Sequence, residues 1–170
     1  MPGKKPPPEV LAMIVCDQII TDRLTGKQSL IGMFSTVHAR RFPASHPQLS
    51  VYVMLSGGHG VTDFLIRVVD ANESRAPIVE GRGRVDFKDP RAIANLALQF
   101  HGLSFPAAGS YRVQLYAGDE LLQEARLEMR QLQQRPGQGG NPGDPNSPGN
   151  PNNPSGPANP GDPDGPGGIA

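Results

Sequence analysis

The side chains able to do chemistry in this 170-residue chain are few and scattered: His38, His46, His59 and His101, the single Cys16, and Asp17, Asp22, Asp63, Asp70 and Asp89. No two histidines fall at i, i+2 or i+4 with a carboxylate between them, so no single strand or helix face presents a ready ligand pair. A metal set could assemble only across strands, and His59, His101 and Asp63 form that set; it defines an alternative reading as a metal-dependent or metal-sensing protein. Cys16 stands in the apolar run VLAMIVCDQII with no cation beside it to lower its pKa, so it reads as a small hydrophobe rather than a nucleophile. Calcium takes six to eight oxygens, whereas these aspartates are singletons in five places; they read as turn caps. With no assembled triad, metal set or cofactor loop, the expectation is a non-catalytic protein without a cofactor.

Ser56-Gly57-Gly58-His59-Gly60 is the one glycine cluster ahead of the C-terminal tail. A phosphate-cradling loop needs a helix after it, whose N-terminal amides hold the anion. Here the β-branched run Val61-Thr-Asp-Phe-Leu-Ile-Arg-Val-Val69 follows, and no P-loop lysine is present. Gly57, Gly58 and Gly60 are therefore expected to turn the chain. Arg82-Gly83-Arg84 could grip a carboxylate or phosphate from one strand face, or serve as an exposed, salt-bridged edge strand.

The elements that would position these residues are strands. From Val10 to about Met129, short apolar runs alternate with turn residues every ten positions or so, the spacing of a β-sandwich or barrel. Eight strands are predicted at roughly 10–20, 29–38, 49–55, 61–69, 78–87, 94–103, 110–117 and 120–129. Period-two alternation is clean in several: Tyr111, Val113 and Leu115 oppose Arg112 and Gln114, and Leu121, Ala125, Leu127 and Met129 oppose Leu122, Glu124, Arg126 and Glu128. The stretch 49–55 is apolar on both faces. Tyr52 and Met54 on its second face mark a contact surface, unless a loop or the tail lies across it. Asp89-Pro90 resembles a helix start, so a helical turn near 90–94 leading into a strand is expected there.

Of the 16 acidic residues, Asp144, Asp162 and Asp164 lie in the tail, leaving 13 against 16 Lys and Arg. That surplus is too small and too scattered for a nucleic-acid footprint. One cysteine excludes an intrachain disulfide framework. Lys4-Lys5 precede an apolar run too short for a signal peptide, and no run of about 18 apolar residues would span a membrane. The chain is accordingly read as cytoplasmic. Residues 1–9 read as a disordered leader, 10–131 as the sandwich, and 132–170 as a disordered Pro/Gly/Asn-rich tail in which proline recurs at every third position from Pro142 to Pro166. Action through that repeat gives a second alternative, a structural or envelope-associated protein.

The segment FPAAGSYRVQLYAGDELL, Phe105 to Leu122, resembles the last hairpin of immunoglobulin-like sandwiches, in which a tyrosine opens the penultimate strand and ties a corner to the backbone. Together with CDQIITDRLTGKQSLIGMF and HPQLSVYVMLSGGHG, it is similar to an uncharacterised bacterial family of small immunoglobulin-like β-sandwich proteins. The resemblance implies a single antiparallel sandwich of about eight strands and the corner role for Tyr111, with Gly109 before it. It implies no activity. The residues and the resemblance together favour an interaction module that engages a protein or ligand partner through a sheet face, with Tyr52, Met54, Arg82 and Arg84 as candidate contacts.

Overall fold

Alternating apolar residues fold into strands when every second side chain can be buried against a second layer. The computed structural model describes residues 6–132 and contains nine strands: β1 (Glu9–Thr21), β2 (Gln28–Met33), β3 (Thr36–Ala39), β4 (Ala44–Ser56), β5 (Gly60–Asp70), β6 (Val79–Phe87), β7 (Ala94–Phe105), β8 (Gly109–Ala117) and β9 (Glu120–Gln131). They form two sheets, of order β2-β1-β4-β7 and β3-β9-β8-β5-β6, packed face to face as a two-layered β-sandwich. Val51, Val53 and Leu55 of β4 meet Phe64, Ile66 and Val68 of β5, and Val113 and Leu115 of β8, in one core.

Two expectations about the strands need correction. The run 29–38 is two strands in different sheets. β2 pairs with β1 as far as Met33, after which the Ser35 carbonyl accepts from the Glu128 amide (2.8 Å) and β3 runs alongside β9. That pairing is parallel, so the sandwich is not wholly antiparallel. Crossing between sheets lets one apolar run serve both layers. The predicted inner position of Leu121 is also overturned: the β8–β9 register slips between Leu115 and Tyr116, leaving Leu121 exposed beside Tyr116 and turning Leu122 toward the core. A bulge adds one residue and so exchanges the faces beyond it.

Smaller differences have equally local causes. Glu9, placed in the leader by its sequence, already pairs with Ser56. At Asp89 the carboxylate accepts from the Arg91 amide (2.9 Å) and the carbonyl from the Ala92 amide (3.0 Å). This closes a single turn, with no helix among the described residues, and β7 begins at Ala94. Within β7, Leu96 and Phe100 face the core and so does Leu103, an odd step that Gly102 makes possible at φ +64°. The tail reading, apart from Leu132, falls outside the described residues.

Two edge strands close one side of the sandwich. β6 carries glycine at 81 and 83 because β7 is near: a Cβ at Gly81 would collide with the Phe100 ring, and one at Gly83 with Leu96. Arg82 and Arg84, which alternate with these glycines, are thereby aimed outward. The sequence Gly-Arg-Gly-Arg is close approach on one face and solvation on the other.

Candidate functional site: two unlike outer faces

Strand register places the outward side chains of each sheet in rows. On the sheet β2-β1-β4-β7 the rows across β1, β4 and β7 are Ala12, Met54, Asn95; Ile14, Tyr52, Ala97; and Cys16, Ser50, Gln99. None of these nine is charged. Past Cys16 the β1–β2 hairpin curls over the lowest row. Ser50 Oγ donates to the Asp17 carbonyl (3.0 Å), and Gln99 Nε2 reaches past β4 to the Ile19 carbonyl (3.1 Å). Cys16 and Ser50 are consequently buried completely, and burial with the Asp17 charge pushes the Cys16 thiol pKa up. The upper rows stay open, with Met33 (67 % exposed) and Leu11 (45 %) at the rim.

The opposite face is built differently. Its rows include Glu80, Arg67, Gln114, Glu124; Val69, Arg112, Arg126; and Arg82, Leu65, Tyr116, Leu121. Gln114, only 2 % exposed, donates to Glu73 (3.0 Å) and Glu124 (3.3 Å) and accepts from Arg67 Nε (2.8 Å) and the Tyr116 hydroxyl (3.2 Å). Arg67 also donates to the Tyr116 oxygen (2.8 Å) and lies 4.9 Å from that ring's centroid. This network satisfies itself, and Glu73 pins the β5–β6 loop across it. Nothing in the alternation of β8 signalled a buried glutamine, because its cover comes from a loop 41 residues earlier.

The remaining candidates divide in the same way. Arg82 and Arg84 flank a groove of about 490 Å³ lined also by Asp63, Leu65 and Asp119. Arg84 Nε donates to Asp63 Oδ1 at 2.6 Å, which holds the guanidinium pKa above its ordinary value. Two carboxylates thus balance two arginines, and an anion gains little there. Asp63 is engaged in that pair, His101 lies on β7 opposite Gln48 in the other sheet, and His59 is an exposed loop residue. The predicted metal set is therefore not brought together, and no group of three or more metal-binding side chains occurs among the described residues.

Sequence reasoning gave no role to His46, which is half-buried, edge-on to Phe34 (5.3 Å), with Nε2 3.8 Å from Asp17 Oδ1. Burial lowers its pKa and Asp17 only partly opposes that, so the neutral ring is favoured. Tyr111 is 2 % exposed and donates its hydroxyl to the Ala107 carbonyl at 2.8 Å, with Gly109 at φ +142° between them. It ties the β7–β8 connection to the core, as a tyrosine corner does.

SGGHG connects β4 to β5. Gly57 and Gly60 hold φ +71° and +69°, Gly57 donates its amide to the Pro90 carbonyl (2.9 Å), and Gly58 lies against the Phe87 ring. Gly58→Val is expected to destabilise the fold by roughly 1–3 kcal/mol through overpacking. A lower thermal midpoint checks this, and an unchanged one would show that the ring has room to move.

Comparison with known proteins agrees with an unassigned role. Residues 11–130 match the profile of DUF6941, described as a family of unknown function. No curated protein matches the chain. An immunoglobulin-like protein of Pseudomonas aeruginosa, known from its crystal structure, is similar at 16 % identity over 75 % of this chain and 100 % of its own, with a TM-score of 0.37. Among the described residues no helix is long and apolar enough to cross a membrane.

Proposed function

Because the chain belongs to DUF6941, a family of unknown function, its role has to be read from its own surfaces, and we propose that it is a non-catalytic interaction module whose contact surface is the outer face of the sheet β2-β1-β4-β7. The observation that carries this reading is the absence of charge from the two open rows across β1, β4 and β7, with Glu9 beyond them opposite Ser56, set against a charged residue in each of the three rows given for the opposite sheet.

An outer sheet face in water normally carries charged or strongly polar side chains. Interface cores show the reverse, with charge depleted and tyrosine and methionine enriched. Tyr52 offers a rigid ring with a polar tip and Met54 an adaptable thioether, while Ala12 and Ala97 beside them leave room for a partner's side chains. The partner that fits is a protein presenting an apolar patch of its own. The Arg82–Arg84 groove supports a ligand less well, since its charges are already compensated. Photo-crosslinking from positions on the two outer faces tests the proposal.

A further inference from the structure

We propose that the free edge of β7 is a self-association site, where two copies of the chain pair β7 against β7 and join their four-stranded sheets into one continuous sheet. β7 ends its sheet, and among the described residues no strand pairs with its other side. An unpaired edge of this kind presents backbone donors and acceptors to any incoming strand. Proteins usually guard such edges with charges, prolines or a bulge. Across its 12 residues β7 has no Lys, Arg, Asp, Glu or Pro, and its one guard is the kink at Gly102, which leaves Ala94–His101 as an uninterrupted edge. The neighbouring edge, β6, is guarded in the ordinary way by Glu80, Arg82, Arg84 and Asp86 within nine residues.

The charge pattern also selects the occupant. In a two-fold contact a strand meets its own sequence, so its own charges decide whether the contact is tolerated. Pairing β6 with itself about Arg82, Gly83 or Arg84, the registers that use most of the strand, sets like charges directly opposite, which is destabilising. Pairing β7 with itself opposes only Asn95, Ala97, Gln99 and His101 on the outer side and apolar residues on the inner. A second copy therefore satisfies the edge without any charge that a foreign strand would have to match. The site lies on the backbone edge, distinct from the Tyr52–Met54 face, and does not depend on that face being a contact surface.

The test is the mass of the full-length chain by sedimentation equilibrium, alone and in charged variants. The native chain is expected to be a dimer. Ala97→Lys with Gln99→Lys should be a monomer, as should Ala97→Glu with Gln99→Glu, because a two-fold pair centred on Ala97, Leu98 or Gln99, the middle of the uninterrupted edge, sets like charges directly opposite. Mixing the two variants should restore a dimer, which also establishes that both are folded. Tyr52→Asp, on the central strand, should leave the dimer intact. A native monomer, a mixture that stays monomeric, or a dimer lost with Tyr52→Asp but kept in both 97/99 variants would overturn the proposal; the last result would place self-association on the sheet face.

Discussion

Replacing Phe105 with alanine is expected to destabilise the domain by about 3–5 kcal/mol, the range for removing a buried aromatic ring from a core that cannot close around the gap. Phe105 is fully buried and stands edge-on to Tyr111, with ring centroids 5.0 Å apart. Its cross-strand neighbour on β4 is Ala44, too small to fill the space. The ring is also the packing surface for the corner, since Tyr111 reaches the Ala107 carbonyl from beside it. The loss should appear as a lower urea midpoint at unchanged slope. A shift worth less than about 1 kcal/mol would show that the corner stands without the ring, since Phe to Ala at a well-packed site costs several times that.

The second large effect concerns the surface. Tyr52→Asp combined with Met54→Asp places two carboxylates in the middle of the uncharged rows, where a partner's apolar patch would strip them of water. Each should weaken binding of the partner by roughly thirtyfold or more, the scale of a hot-spot residue at about 2 kcal/mol or above. Both side chains are only half-buried and face outward, so the variant should keep nearly its native thermal midpoint. Binding unchanged at native stability would remove these residues from the contact surface. Calorimetry against the partner identified by crosslinking reads the affinity, and a thermal melt reads the fold.

Much of the layering was legible in the sequence, because alternation is a local property. Tyr111, Val113 and Leu115 could be assigned to one face from their spacing alone, and they line the core. The doubly apolar run 49–55 likewise marked β4 as central, flanked by β1 and β7. Register is not local, and the errors gather there. One slipped pair between β8 and β9 turned Leu121 outward, and one change of sheet divided the run 29–38.

The candidate surface shows the same limit. Tyr52 and Met54 could be placed on one side of β4 from their spacing, but Ile14 and Ala97 join Tyr52 only through pairings 38 and 45 residues distant. The His59, His101 and Asp63 set failed for the opposite reason. Residue type suggested a meeting that topology prevents, because Asp63 and His101 belong to different sheets. Arg84 then claims Asp63 directly, as the register Asp63–Arg84 requires.

The central claim is that one outer face meets a partner and the other meets water. Incorporating a photo-crosslinking amino acid at Tyr52 or Met54, and for comparison at Glu80 or Arg112, in the full-length chain inside cells tests it directly. The account predicts one discrete adduct of defined mass from the first two positions and none from the second two. Adducts from Glu80 or Arg112 with none from Tyr52 or Met54 would contradict it and move the contact surface to the charged sheet.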